Sequence, residues 1–449
     1  SYIGNSTVNV TWDANDNTGI DHYEVRIDGG SWINVGTDTA YTFTGLSEGK
    51  HYVDVKAVDL AGNEGISRVV FTVDLSPPYV GISQPTEGEY LATRNVTIEW
   101  SGGDSIGIDH YEIRIDGGSW INVGTQTQYT FINLEEGDHV VEVRAVDKVG
   151  RYDEDSVTFT VDISAPHVDI TNPLDGGYED KPSVVATWEG SDNTGIDYYE
   201  VRIDGGSWIN VGTNTSYTFT GLSEGQHTID VRAFDYAGNS AMDSTTFTVD
   251  LFEPTLGILS PANESYIGSR NVTIVWSGND SIGVDHYEVR IDGGSWINVG
   301  LSTNYTFENL LEGEHRVEVR VFDHVGRMDE GLVIFTVDIS NPWVDIKSPP
   351  NGTYIGSPDV TVKWEANDNC GIDHFLIRMD NESWINVGIA TNYTFRNLTE
   401  GIHRVYVRAV DYAGNYAEDS VVFIISFEFY VTIEYPEEGS YINLSLIHI

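Results

Sequence analysis

One cysteine, Cys370, stands in 449 residues, which excludes a disulfide within the chain and leaves cysteine usage silent on the redox compartment. Positive charge is scarce too: 23 Lys and Arg face 70 Asp and Glu, for a formal net charge of −47, and only six of the cations are Lys. A field of that sign excludes nucleic acid as a partner and disfavours anionic membrane surfaces. It suits a saline or calcium-containing exterior, or equally simple solubility. No run of 18 apolar residues occurs, so no direct membrane insertion is expected in this window. No stretch of ten or more residues has apolar spacing of three and four, and helices are therefore not expected. No nucleophile elbow, phosphate loop or His-rich metal motif is present, so no enzyme and no catalytic residues are expected here. No signal-peptide pattern is expected in this window, which opens at Ser1, without Met, part-way into a repeat.

What the sequence does contain is repetition. Asp21 to Gly36 returns nearly letter for letter at Asp109, Asp197, Asp285 and Asp373, a period of 88 residues. In the first copy Tyr23, Val25 and Ile27 alternate with His22, Glu24 and Arg26, the period of a half-buried strand. Asp28-Gly29 then offers the two positive-φ residues of a tight hairpin, and Trp32 to Val35 reads as the returning strand. A lone hairpin cannot bury its own apolar face, so the rest of each period must complete a domain.

The second period predicts seven strands: 79–83, 95–100, 111–115, 120–123, 129–132, 140–146 and 157–162. Seven short antiparallel strands with turn signals between them predict an all-β fold, a linear array of two-sheet sandwiches. Val96, Ile98 and Trp100 point inward, and the Trp at 12, 100, 188, 276 and 364 are expected between the sheets. Glu112, Arg114, Glu142 and Arg144 are expected to pair across strands on an outer face. The domain limits read 1–76, 77–164, 165–252, 253–340 and 341–427, with a sixth repeat opening over 428–449. Linkers carry Pro78, Pro166, Pro254 and Pro342; the fifth has Ser426 and Tyr430 where Asp338 and Pro342 stand one period earlier, and bending is expected there. The closing residues 444–449 leave the repeat pattern and read as the translation of a sequencing adapter, so that tail is expected to be artefactual.

The run Leu46, Glu48-Gly49, His51, Val53, Val55, Ala57, Asp59 and Ala61-Gly62-Asn63 resembles the sixth-strand corner and loop of tandem immunoglobulin-like and fibronectin type III-like repeats of bacterial and archaeal cell-surface proteins. Trp12 resembles the core Trp of their second strand. The resemblance covers the whole chain and implies seven-stranded immunoglobulin-like sandwiches in an extracellular structural or adhesive role, as a semi-rigid spacer of about 150 to 200 Å. Its partners would be other surface proteins or glycans. An array of carbohydrate-binding accessory modules, or a surface-layer subunit, is the alternative; solvent-facing indoles at Trp32, Trp120, Trp208, Trp296 and Trp384 would favour the former. The departure from the family is the His at 51, 139, 227, 315 and 403 in place of a corner Tyr, expected as a buried side chain bonded to nearby backbone.

Thirteen Asn-x-Ser/Thr sequons favour a secreted glycoprotein, with Asn95, Asn214, Asn271, Asn304 and Asn392 as acceptors; Asn443 falls beside the suspect tail. In such a sandwich the loops after the second and sixth strands meet at the N-terminal pole, beside the linker. That would gather Asp162, Asp192, Asp235 and Asn239 at one junction and Asp338, Asp368, Asp411 and Asn415 at another, with Asp16, Asp59 and Asn63 as the matching set of the first repeat. Hard oxygen ligands of this kind suit Ca²⁺; the alternative is that these Asp and Asn side chains only close their own loops as Asx turns. In even repeats Arg151 and Arg327 replace the loop Asn and are expected to pair with Asp104 and Asp280 in the metal's place, leaving calcium to the odd repeats.

Overall fold

A computed structural model describes residues 1–427 and Gly439. Residues 428–438 and 440–449, including Tyr430, Asn443 and the closing hexapeptide, lie outside the described residues. The chain divides into two compact units: Ser1–Gly177, Ser183–Leu222 and Gln226–Phe247 form one, and Tyr178–Pro182, Ser223–Gly225 and the residues from Thr248 form the other. The described residues contain strands and turns and no helix.

The second period shows the plan. Tyr79–Gln84, Val96–Gly103 and Gln128–Phe131 form a three-stranded antiparallel sheet with Val96–Gly103 in the middle. The facing sheet runs Ile121–Gly124, Ile108–Ile115, Gly137–Asp147, Tyr152–Val161, Glu89–Leu91. The count is eight strands, not seven. Beyond the cis Gln84–Pro85 bond the first segment leaves one sheet, and Glu89–Leu91 joins the other as a parallel edge beside Phe159–Val161. Three residues are too short for an alternation signal to reveal them. The same orders recur from His167, Thr255 and Trp343.

Asp116 and Gly117 take φ of 51° and 67°, the turn that matches the twist of the flanking strands. The Asp116 carboxylate also reaches across to the next strand: Oδ1 accepts the Val140 N–H and Oδ2 lies 2.8 Å from His139 Nδ1. His139 Nε2 lies 2.9 Å from the Glu135 carbonyl, so both ring nitrogens face acceptors and the corner His serves as a backbone clamp. Burial pulls its pKa down, but the Glu135 carbonyl and the Asp116 carboxylate more than reverse that, and the net shift is upward.

Between the sheets lie Ile98, Trp100, Tyr111, Ile113, Phe131, Val141, Val143 and Phe159, all buried, with the Trp100 and Tyr111 rings edge-on at 5.9 Å. Trp188, Trp276 and Trp364 are equally enclosed. Trp12 is an exception and is only half-buried. The strand Tyr79–Gln84, which packs on the second repeat's core, has no counterpart within residues 1–76, and an open groove lined by Val10, Trp12, Tyr23 and Ile66 takes its place.

On the outer face Glu112 stands opposite Arg144, and Arg114 opposite Glu142. Arg114 binds Glu142 in two-pronged fashion, at 2.6 and 2.7 Å. Trp120 lies against the same charges, with the Arg114 and Arg144 guanidiniums 4.4 and 4.3 Å from its ring centre. Trp208, Trp296 and Trp384 each hold two arginines likewise, and Trp32 holds Arg26 and Lys56. These half-buried indoles are packed on the sheet by cations.

Candidate functional site

The chemistry gathers where one repeat hands over to the next. The last strand of each sandwich runs straight into a linker Asp: Asp74, Asp162, Asp250 and Asp338. Its N–H is held by the carbonyl of the short parallel strand, for example Asp162 N–H to the Leu91 carbonyl at 3.0 Å. All four side chains are fully buried. Two loops of the following repeat close on each: the one after the Trp strand brings Asp104, Asp192, Asp280 or Asp368, and the end of the long seventh strand brings Asp147, Asp235, Asp323 or Asp411.

At three junctions the carboxylates converge so that one oxygen from each lies within 4.8 Å of the others: Asp74, Asp104 and Asp147; Asp162, Asp192 and Asp235; Asp250, Asp280 and Asp323. At the fourth, Asp338 and Asp368 meet the Cys370 thiol within that distance, and Asp411 is buried beside them. Local hydrogen bonds fix the aim. Asp104 Oδ2 accepts the N–H groups of Ile106 and Gly107 at 2.7 and 2.8 Å, and Asp147 Oδ1 accepts those of Val149 and Arg151 at 2.9 and 2.8 Å. These Asx turns spend one oxygen of each carboxylate.

At the second junction both Asp162 oxygens have partners, Oδ1 accepting the Ser164 N–H and Oδ2 the Thr194 hydroxyl, but on most of the other carboxylates an oxygen is left over. Asp74 Oδ2, Asp104 Oδ1 and Asp147 Oδ2 are buried without a protein partner, as are Asp280 Oδ2, Asp323 Oδ2 and both oxygens of Asp250. Asp235 Oδ2, Asp338 Oδ2 and Asp411 Oδ2 are in the same position. Burial and the neighbouring carboxylates raise the pKa of Asp74, and Arg151 only partly opposes them; Asp250 and Asp338 are raised for the same first cause.

The arginines of the even repeats do not lie on Asp104 and Asp280. Arg151 Nη2 donates to the Gly4 carbonyl at 2.8 Å, while its nearest carboxylate oxygens are those of Asp74 at 3.4 Å and Asp147 at 3.7 Å. Arg327 donates to the carbonyls of Asp250 and Asp180, each at 2.6 Å, and stands 3.6 Å from Asp250 Oδ1. A guanidinium has five donors in a plane, and here main-chain carbonyls take the best-aligned ones. Asn239 and Asn415 make the corresponding tie with a single bond: each Nδ2 donates to the linker carbonyl, of Asp162 or Asp338, at 2.9 Å. They belong to the junction, but as donors to backbone.

Asp16, Asp59 and Asn63 form no such cluster. Asp59 accepts the N–H groups of Ala61 and Asn63 and the Asn63 side chain, which hold its carboxyl below the usual range, and Asp16 closes on Thr18. The sequence reading assigned Asp104 and Asp280 only an arginine partner and passed over Asp74, Asp147, Asp250 and Asp323, although their spacing of 88 residues from the chosen set was visible. Ring contacts accompany the carboxylates: Tyr90 with Tyr236 at 5.3 Å, Tyr178 with His324 at 4.5 Å and Tyr266 with Tyr412 at 5.1 Å. The five predicted glycan acceptors, Asn95, Asn214, Asn271, Asn304 and Asn392, are all exposed.

A family model described as a bacterial Ig domain matches residues 1–55, 78–143, 166–231 and 254–319, more than half of the chain. The chain belongs to the bacterial Ig domain family. This Ig-repeat chain is 27% identical over 320 residues to a Kelch domain-containing protein of Sulfurisphaera tokodaii, covering 70% of the chain and 42% of that protein. Bacillopeptidase F of Bacillus subtilis matches at 24% over 53% of the chain and 17% of its own length. Halomucin of Haloquadratum walsbyi matches at 24% over 79% of the chain and 4% of its length. The chain thus spans under half the length of each of these curated relatives. Among solved structures, a tetra-tandem repeat from the extending region of a large adhesion protein shares 18% identity over 78% of the chain and all of that structure, with a TM-score of 0.28. Fibronectin(III)-like modules of Clostridium thermocellum CbhA share 18% over 38% of the chain and 94% of theirs, with a TM-score of 0.29.

Proposed function

We propose that these Ig repeats form a semi-rigid spacer of an extracellular structural or adhesive surface protein, without catalysis of their own. The observation that carries the reading is the side-chain tie at each junction. Arg151, Asn239, Arg327 and Asn415 each reach back 75 residues or more to bond the carbonyls of the linker or of the strand before it. A linker held by its successor resists bending, which a spacer requires and a loose string of binding modules does not. The indoles that would stack on sugars in a carbohydrate-binding array are occupied by arginine, which favours the spacer. The acidic surface, at net −47, keeps such chains apart. Exposed sequons at Asn95 and Asn271 suit glycan attachment, since each side-chain oxygen accepts a backbone N–H and leaves the amide nitrogen free to be modified.

Small-angle scattering of the purified chain tests the reading. Stiff end-to-end sandwiches predict a maximum dimension of about 150 to 200 Å that does not shorten between low and moderate salt. A compact particle, or one that shrinks steadily as salt screens its charge, contradicts the spacer.

A further inference from the structure

The junction carboxylates exceed what a spacer held by hydrogen bonds alone requires. Burying an unpaired carboxylate costs several kcal/mol, and three that face one another cost more. The usual remedies are incomplete at the junctions: the Thr194 hydroxyl reaches Asp162 and Asp192, and Arg151 lies 3.4 Å from Asp74, yet buried oxygens remain without partners at every cluster. No Lys contacts these clusters among the described ion pairs, and the two arginines give their closest N–H groups to carbonyls. Protonation would silence one oxygen of a trio but leave the others facing it. A hard cation would satisfy all of them at once.

The geometry specifies the ion. Calcium takes six to eight oxygens at about 2.3 to 2.6 Å, so oxygens on opposite sides of it stand about 5 Å apart, and the trios, all within 4.8 Å, fit inside that limit. Every ligand atom at the first three junctions is oxygen, and no His takes part, which disfavours zinc. At the fourth, Asp338 and Asp368 supply carboxylate oxygens beside the Cys370 thiol, and Asp411 Oδ2 is buried there without a protein partner. A further carboxylate stands close by on the preceding repeat: Glu48 contributes to the field at Asp74 and Glu224 to that at Asp250. We infer that each of the four junctions is a Ca²⁺ site whose ligands come from both adjoining repeats, and that bound calcium locks one repeat to the next. The arginine-bearing junctions are included. Their guanidinium lies 3.4 Å or more from the carboxylates, so it weakens the site without filling it. The Asn-bearing junctions, at Asp162 and Asp338, bind more tightly. This inference stands on the carboxylates and not on the surface role, and scattering and ion binding can fail independently.

Calorimetric titration of the chelator-stripped chain with CaCl₂ in 150 mM NaCl tests it. The expected result is four ions per chain in two affinity classes of two, with MgCl₂ at least tenfold weaker. Asp235→Asn should remove one ion of the tighter class, and Asp323→Asn one of the weaker; both variants relieve repulsion, so circular dichroism should show both folded. Arg151→Asn should move one ion from the weaker class to the tighter. Two ions per chain in place of four, an unchanged count in Asp235→Asn or Asp323→Asn, Mg²⁺ binding as tight as Ca²⁺, or only weak uptake that salt abolishes would each overturn the inference.

Discussion

The two kinds of junction differ in two places: the tie to the linker is Asn or Arg, and the loop after the Trp strand puts Thr194 or Cys370 against the carboxylates where the other kind has Ile106 or Ile282. Around Asp162 and Asp338 an asparagine makes a single neutral bond to the linker carbonyl; around Asp74 and Asp250 an arginine in the same position bridges to carbonyls on two segments of the preceding repeat. The carboxylate trio is otherwise retained. One framework is therefore tied in two ways, by a neutral amide or by a fixed charge, and with the inferred ion the choice would set how far the joint depends on its surroundings.

The comparison holds only if the sandwiches behind the junctions are equivalent, and the largest expected effect tests that. Trp188→Ala in an odd repeat and Trp276→Ala in an even one should each destabilise their own repeat by about 3 to 5 kcal/mol, since both indoles are fully enclosed. Denaturant unfolding followed by segment-resolved hydrogen exchange reads each separately. A cost confined to one parity would place the difference in the cores and not at the joints.

Next in size is a pair of neighbours within the core. A Cβ on Gly278 would lie 2.7 Å from both the Tyr287 hydroxyl oxygen and its ring, so Gly278→Ala should cost about 1 to 3 kcal/mol. The fifth repeat carries Ala366 with Phe375 at the same two places. Adding Tyr287→Phe to Gly278→Ala should therefore recover part of the loss, and additive costs in the double-mutant cycle would show that the hydroxyl is not the obstacle.

The ties themselves come third. In chelator, Arg327→Ala should lower stability by about 1.5 to 3 kcal/mol and Asn239→Ala by about 0.5 to 1.5, because charged donors contribute more than neutral ones. Thermal unfolding that ranked them the other way would invert the comparison.

The smallest effect should ignore parity. His51 and His403 belong to odd repeats and His139 to an even one, and in all three the backbone carbonyl and the turn Asp raise the pKa against the effect of burial. The folded state holds the proton more firmly than the unfolded chain does. This contribution is thus complete below the ordinary value of about 6.5 and is lost as pH rises through the raised one. His139→Gln should flatten the stability profile over that window, and a loss of stability on acidification through it would refute the clamp.

Much of this was legible in the sequence because it is written in backbone rules. The Asp-Gly turn follows from positive φ, the inward Val96, Ile98 and Trp100 from alternation, and the cross-strand Arg114–Glu142 pair from register. Glu89–Leu91 was not legible, because three residues hold no period and its parallel partner is about 70 residues away. The Asn-bearing trios were read from fold geometry. The Arg-bearing trios were missed because the reach of a long side chain is set in three dimensions, and opposite charge in sequence suggested a pair that carbonyls prevented.

The central claim is that calcium occupies both kinds of junction. Long-wavelength anomalous diffraction from crystals of the chain soaked in calcium after chelation tests it most directly. The account predicts an anomalous peak at each of the four carboxylate clusters, with oxygens at about 2.3 to 2.6 Å. Peaks at neither kind of junction, or at the Asn-bearing pair alone with Arg151 and Arg327 turned onto their carboxylates, would contradict it.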